Sequence, residues 1–265
     1  MSGAGAPKVS IITPTFGRET FLPFAHQCFR SQTYANLEWL ILDDSPAPSR
    51  YLAGVADPRI RYSHSPERLR IGGKRNRLIA QARGEIIVHF DDDDYYAPRY
   101  VERMVERLDR GFDFVKLSGW YLYCAPYRVF GYWDLNAIEG RCHLWSASRP
   151  PSRGRLRKAD RAVFADNYLG YGFSYAFRRK VWEARPFPDG VDWNEDAPFA
   201  LAARGAFRFH HFRDIGGLCL HILHRGNVSR CFPQYKLPSF VLRWLFPAPF
   251  IAGIEAADPA RLGSP

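Results

Sequence analysis

Glu85 to Phe90 (EIIVHF) run without interruption into Asp91-Asp92-Asp93-Asp94, and that junction decides the fold. A short, nearly continuous apolar run reads as a central parallel strand buried on both faces. Before it, Lys74 to Arg83 reads as a helix, with Gly84 as the C′ residue that stops it. After it, Pro98 fits the first turn of a helix that places Val101, Met104, Val105 and Leu108 on one face. Helix, buried strand and helix in succession predict an α/β domain with a mostly parallel central sheet.

The rest of the first half repeats the alternation. Lys8 to Thr13 (KVSIIT) reads as a strand ended by Pro14, and Glu19 to Ser31 as an amphipathic helix carrying Phe21, Phe24, Ala25 and Cys28. Glu38 to Asp43 (EWLILD) gives a second strand before the turn-forming Ser45-Pro46-Ala47-Pro48, and a weaker strand lies near Ile60 to Ser63. From about Gly119 to Asp166 the pattern becomes irregular. It mixes Trp120, Tyr121, Tyr123, Tyr127, Trp133 and Trp145 with a basic, Pro-rich stretch from Arg149 to Lys158, as a binding loop does.

Ligands of open α/β sheets bind beyond the carboxyl ends of the strands, which is where the four aspartates fall. Adjacent carboxylates repel unless a cation sits among them. If the chain stays extended, Asp91 and Asp93 share a face. Oxygen-only ligands select a hard ion, Mg²⁺ or Mn²⁺. The plainer reading of the same run is an acidic turn capping the next helix.

The chain has 265 residues, of which 46% are hydrophobic and 15% aromatic, so it can bury a sizeable core. Cys28, Cys124, Cys142, Cys219 and Cys231 form an odd set without a C-x-x-C pair, which argues against a disulfide framework and for a reducing compartment. Met1 to Lys8 lacks the apolar stretch of a secretory signal, so a cytoplasmic location is expected. The formal net charge of +10 favours anionic partners without choosing among them.

Six fragments in order resemble the family 2 glycosyltransferases of GT-A fold. They are VSIITPTFGR (Val9 to Arg18), ILDDS (Ile41 to Ser45), GGKRN (Gly72 to Asn76), ARGEIIVHFDDDDYYAP (Ala82 to Pro98), NED (Asn194 to Asp196) and HRGNVS (His224 to Ser229). The resemblance implies a GT-A domain over residues 1–235, with a Rossmann-like nucleotide-binding half at about 8–118, an acceptor-binding half at about 119–235 and a C-terminal apolar tail at 236–265. It implies inverting transfer from a nucleotide-diphosphate sugar, a UDP-sugar first, to a hydroxyl of a glycan or lipid-linked acceptor.

The resemblance also assigns roles. Pro14, Thr15 and Phe16 contact the base, Arg18 lines the nucleotide site, and Asp44 accepts a hydrogen bond from the pyrimidine ring, with Asp43 as the alternative. Lys74, Arg75 and Asn76 line the nucleotide pocket, where a cation meets phosphate charge. Asp91 and Asp93 form the D-x-D pair with Asp92 between them, Asp93 being the direct ligand for Mg²⁺ or Mn²⁺ and Asp91 lying nearer the ribose or metal-bound water. His224 lies near metal and diphosphate and is counted with Asp93 and Asp91 as a metal ligand. Asp196 matches the catalytic base and Glu195 helps position the site. A base is required because a sugar hydroxyl attacks poorly until its proton is removed. Read alone, Asn194, Glu195 and Asp196 are ordinary first-turn residues that complement a helix dipole. Three positions depart from the family pattern: Gly17 stands where Asn is usual, Asp92 where a small residue is usual, and Lys74 likewise.

Other readings explain less. Cys219, His221, His224 and Cys231 have a spacing that matches no standard zinc module. A sugar-nucleotide nucleotidyltransferase would need a glycine-rich phosphate loop near Pro14. A basic nucleic-acid-binding protein would account for the charge but not for clustered carboxylates at a strand end, so no nucleic-acid partner is expected. The tail from Leu237 to Ile254 is rich in Phe and Leu with Trp244, while Pro238, Pro247 and Pro249 argue against one spanning helix. It either packs on the domain or lies on the cytoplasmic face of the inner membrane as a peripheral contact.

Overall fold

The EIIVHF run forms a strand buried at every residue, β4 (Ile86–His89). The computed structural model describes residues 7–137, 139–157, 159–160, 169–191, 194–226 and 229–257. Before β4 come β1 (Val9–Thr15), α1 (Leu22–Ser31), β2 (Leu37–Asp43), β3 (Ile60–His64) and α2 (Ile71–Gln81). After it come β5 (Tyr95–Tyr96), α3 (Tyr100–Asp109), β6 (Phe114–Cys124), β7 (Val129–Asp134), β8 (Gly140–Ser146) and β9 (Arg149–Leu156). The remainder holds β10 (Ala176–Arg178), α4 (Arg179–Ala184), α5 (Asp196–Ala206), β11 (Phe209–Arg213) and β12 (Cys219–Leu223). Last are β13 (Arg230–Cys231), β14 (Tyr235–Leu237), α6 (Ser239–Leu245) and α7 (Ala248–Ala257).

The main sheet runs β14-β7-β6-β10-β4-β1-β2-β3, with β11 and β12 pairing along β6. The β4-β1-β2-β3 half is parallel, as the alternation of strands and helices predicts. Across the whole sheet the arrangement is mixed, because β10 lies antiparallel between β4 and β6 and β7 continues antiparallel. The stretch from Gly119 onward is also more regular than its composition suggests. Trp120, Tyr121 and Tyr123 lie on β6 and Trp133 on β7, and the basic Pro-rich part is strand β9 of a second, three-stranded antiparallel sheet.

Period-two alternation divides the core. Val9, Ile11, Trp39, Ile41, Ile86 and Val88 face one apolar cluster with Leu22 and Phe29 of α1 and Met104 of α3. Ile12, Leu40, Leu42 and Ile87 face the other with Leu78 and Ile79 of α2 and Phe199 of α5. Each such side chain, fully buried, contributes about 1.5–3 kcal/mol. Gly84 serves this packing rather than a helix stop, since α2 already ends at Gln81 with Ala82 as its cap. A Cβ on Gly84 would lie 2.6 Å from the Ser10 backbone nitrogen, so only glycine lets the chain pass this close to β1.

The tail folds onto the first cluster. Leu242, Phe246, Phe250, Ile251 and Ile254 are buried there, while α6 and α7 are bent 116° from each other. No described helix is long and apolar enough to cross a membrane alone. Phe240 and Trp244, 70% and 82% exposed, point away from the core.

Candidate active site

The four aspartates do not stay extended. Beyond His89 the chain turns at Asp92 and Asp93; Asp91 and Asp93 still point together, as expected, and the turn brings Asp94 to join them. Carboxylate oxygens of Asp91, Asp93 and Asp94 lie within 4.8 Å of one another. Asp92 turns instead to Arg18, whose guanidinium lies 3.7 Å from Asp92 and 3.7 Å from Asp93. Arg18 is itself held by a 2.7 Å hydrogen bond to the Gly226 carbonyl.

β12 and the segment after it grip the acidic turn. The Ile222 amide donates to Asp94 Oδ1 at 2.8 Å, and His221 Nδ1 lies 2.9 Å from Asp94 Oδ2. Gly226 N–H donates to His224 Nδ1, which leaves the proton on Nε2, and that nitrogen donates to Asp93 Oδ2 at 2.8 Å. His224 therefore reaches the expected neighbourhood as a hydrogen-bond donor to Asp93, and the third converging carboxylate is that of Asp94. The last part of the HRGNVS fragment includes Asn227 and Val228, which lie outside the described residues.

Burial sets the charge state here. It pushes the Asp91 carboxyl up to about 7, with Asp94 and Asp93 adding and Arg75 opposing. Burial likewise raises Asp92 and Asp94, the latter against the pull of His221. Burial disfavours the Asp93 anion too, yet the hydrogen bond from His224 and the charge of Arg18 hold it below its ordinary value. Three close oxygen ligands, two of them driven toward protonation by burial and mutual repulsion, fit a hard divalent cation that would relieve both.

A second polar cluster lies at the ends of β1 and β2. Pro14 and Thr15 close β1, and Gly17 adopts φ +64°, a conformation open to Gly and Asn at little cost. Gly in place of the family's Asn therefore preserves the turn. Asp43 is consumed locally, accepting from the Ser45 amide at 2.9 Å and from the Tyr62 hydroxyl at 2.8 Å. Asp44 accepts from Lys74 Nζ at 2.8 Å, from Arg68 at 2.6 Å and from the Leu69 amide at 2.7 Å. The Arg68 guanidinium also stacks 3.5 Å from the ring centroid of the half-exposed Phe16. Arg68 escaped sequence reasoning because nothing in its spacing marks it, whereas Asp94 was visible in the acidic run but given no role.

Two α2 residues serve other partners. Arg75 is buried and forms an ion pair with Glu195, so its guanidinium is turned toward α5. Asn76 is fully engaged in packing. Its side chain donates to the Phe187 carbonyl at 2.8 Å and accepts from Trp182 Nε1 at 2.8 Å and the Phe187 amide at 2.9 Å.

Asn194 has φ +61°, tolerable for Asn, and this turn delivers Glu195 and Asp196 to the start of α5. Asp196 Oδ2 accepts from the Gly172 amide at 2.8 Å, and Oδ1 from the Ala197 amide at 2.8 Å. The Gly172 carbonyl lies 2.9 Å from His89 Nδ1, at the end of β4. Gly172 thus ties Asp196 to the strand that carries the acidic turn. A Cβ there would stand 3.1 Å from Asp196 Cβ and 3.3 Å from an Arg75 nitrogen, a constraint that nothing in the sequence revealed.

A parallel half-sheet with an acidic turn at a strand end, linked through Gly172 to the helix start at Asp196, has the fold of the GT-A glycosyltransferases. The model of "Glycosyl transferase family 2" matches residues 10–182, and the chain belongs to that family. It is 32% identical over 245 residues to EpsH of Bacillus subtilis (strain 168), a protein named as a glycosyltransferase, covering 88% of this chain and 65% of that one. It is 27% identical over 111 residues to a GalNAc(5)-diNAcBac-PP-undecaprenol beta-1,3-glucosyltransferase of Campylobacter jejuni, covering 40% and 36%. Its fold matches S. aureus TarS 1-349 in complex with UDP-GlcNAc, with TM-score 0.61, 16% identity, and coverage of 83% and 60%. It also matches the mannosyltransferase PcManGT of Pyrobaculum calidifontis in complex with GDP-Man and Mn²⁺, with TM-score 0.59, 17% identity, and coverage of 99% and 77%. The chain spans just under two thirds of EpsH and of TarS 1-349.

Proposed function

We propose that this protein is an inverting, metal-dependent glycosyltransferase that moves a sugar from a UDP-sugar to a hydroxyl of a glycan or lipid-linked acceptor in surface polysaccharide or glycoconjugate synthesis. The observation that carries the reading is the fastening of Asp196, through Gly172, to the strand end that presents Asp91, Asp93 and Asp94. A base and an anion-binding centre must stand in fixed relation for a single displacement, and this chain of hydrogen bonds supplies that relation.

Asp91, Asp93 and Asp94 would hold Mg²⁺ or Mn²⁺, with His224 and Arg18 steadying Asp93. The ion would supply positive charge for a departing diphosphate. Asp196 accepts the proton of the acceptor hydroxyl as that oxygen attacks the anomeric carbon from the face opposite the leaving group, so the centre inverts. Glu195 and Arg75, paired and buried, hold the start of α5 in place.

Uracil suits the base pocket best. An incoming ring N–H would replace Arg68 on Asp44, freeing that exposed guanidinium to donate to a ring carbonyl, and Phe16 offers a face for stacking. The two ligand-bound fold relatives carry nucleotides with different bases, UDP-GlcNAc and GDP-Man, so the preference rests on these residues. A lipid-linked acceptor accords with the name of the Campylobacter relative and with the exposed Phe240 and Trp244, which suit a peripheral contact on the cytoplasmic membrane face. The test is a hydrolysis screen over UDP-, TDP- and GDP-sugars, paired with thermal protection by each nucleotide in Mn²⁺ or Mg²⁺. Protection by GDP but not UDP would overturn the base assignment, and protection indifferent to chelator would overturn the metal.

A further inference from the structure

We propose that one face of the β8–β9 hairpin and the exposed side of α6 form a single surface that docks on an anionic lipid bilayer, with arginines supplying charge and aromatics supplying insertion. The proposal deepens, and rests on, the reading of a peripheral membrane contact.

In the hairpin Arg141 lies opposite Arg155 and His143 opposite Arg153. Directly opposed residues share a face, as do residues two apart along a strand, so all four project from one side. Arg141, Arg153 and Arg155 are exposed, and so is Arg149 at the start of β9. Like charges directly opposed across strands destabilise a sheet. Yet none of these arginines makes an ion pair with an acidic side chain among the described residues. Glu139 borders the same depression as Arg155 and Arg157 without an ion pair to either. An anionic surface would offset this repulsion.

The basic face continues into the tail. The His143 amide donates to the Pro233 carbonyl at 2.8 Å, which lays β14 alongside the hairpin and brings the Lys236 charge to bear on His143. After Pro238, α6 begins. Phe240 and Trp244 are four residues apart and therefore stack on one side of the helix, while Leu242 on the other side is buried. Arg243 and Tyr235 are exposed beside them. A free polyanion would use the arginines but leave the Phe240–Trp244 pair idle in water. A bilayer with anionic headgroups uses both, with the tryptophan at the interface. The apolar side of α6 and α7, with Leu242, Phe246, Phe250, Ile251 and Ile254, is already buried against the core, which leaves only the outer side of α6 for lipid.

The full chain should co-sediment with vesicles of equal parts phosphatidylcholine and phosphatidylglycerol, much less with phosphatidylcholine alone, and release at high salt. Arg153→Glu with Arg155→Glu should weaken vesicle binding about tenfold or more. Phe240→Ser with Trp244→Ser should weaken it comparably, and a milder pair, Arg153→Gln with Arg155→Gln, guards against a folding defect. All of these should leave Mn²⁺-dependent UDP protection unchanged. No binding to the anionic vesicles, or equal binding to neutral ones, overturns the proposal. So does binding that soluble polyphosphate abolishes while the Phe240 and Trp244 substitutions leave it intact. Vesicle binding that persists in a protein no nucleotide protects would instead count against the transferase reading alone.

Discussion

Lys74 Nζ donates to Asp44 Oδ1 at 2.8 Å, an ion pair buried at the point where the donor's base is expected to sit. The same ammonium donates to the Thr15 carbonyl at 3.0 Å, so a residue unusual for the family bridges two strand ends. Burial alone would lower the Lys74 pKa, and does, while Asp44 opposes that shift. Breaking such a pair by removing one partner strands the other charge, a cost on the order of 3–5 kcal/mol.

The pair makes a prediction by double-mutant cycle. Asp44→Asn should lower unfolding stability by about 3 kcal/mol, because Lys74 is then buried without its carboxylate. Lys74→Met in the same chain should restore part of that loss. Strictly additive effects in denaturant unfolding would mean that the two side chains do not stabilise one another.

A second prediction follows from the acidic turn. With Asp91 raised to about 7, the folded metal-free protein holds a proton there that the unfolded chain releases near 3.8. Stability from this group is therefore highest below about 3.8 and declines as pH rises toward about 7. Asp91→Asn should flatten that part of the stability profile in chelator. Asp94→Asn should abolish Mn²⁺-dependent UDP protection as completely as Asp93→Ala. Normal protection in the Asp94 variant would remove Asp94 from the ligand set.

How far the sequence carried can be judged at these same residues. The parallel half of the sheet was legible because EIIVHF and EWLILD are apolar apart from Glu85 and His89 in the first run and Glu38 and Asp43 in the second, with all but Glu85 buried. Glu38 in the second run is satisfied within the fold by a 2.6 Å bond from Ser10. The acidic cluster was legible because its carboxylates follow directly on the buried strand. What stayed hidden was the turn at Asp92, since four identical residues carry no signal of where the backbone bends. Arg75 and Asn76 were assigned to the nucleotide because a cation and an amide suit phosphate and sugar. Their actual partners, Glu195 and Phe187, lie more than a hundred residues away, and no local pattern brings them together. The strands after Gly119 were missed because arginines and prolines mask an edge strand, where a missing N–H is tolerated.

The third prediction separates base from binding. Asp196→Asn should retain UDP affinity and lose on the order of 10²–10⁴-fold in kcat. Glu195→Gln should lose stability as well, since it leaves the buried Arg75 unpaired. Equal loss of UDP affinity in Asp196→Asn would put that carboxylate in the donor pocket.

Gly172 supplies a sharper check on the same geometry. Gly172→Ala inserts a Cβ 3.1 Å from Asp196 Cβ, tighter than ordinary contact, and must displace the base or the Arg75–Glu195 pair. The expected result is a fall in kcat of about tenfold or more with near-normal UDP protection, because a small misplacement of a catalytic group is costly. An unchanged kcat would show that Asp196 need not be held by this segment.

The last prediction concerns the tail, which has two opposed faces. A chain ending at Lys236 loses Leu242, Phe246, Phe250, Ile251 and Ile254, all buried against the main core. At about 1.5–3 kcal/mol for each side chain the loss is roughly 10 kcal/mol, as large as the whole stability of a typical domain. The shortened chain should therefore fail to give a cooperative unfolding transition, whatever the membrane does. Trp244→Ser, by contrast, removes a side chain that is 82% exposed and should move the melting temperature little. Circular dichroism melts of the two variants make the comparison. A cooperative transition in the shortened chain would show that α6 and α7 are dispensable to the core, and a large drop for Trp244→Ser would place that ring against protein rather than in solvent.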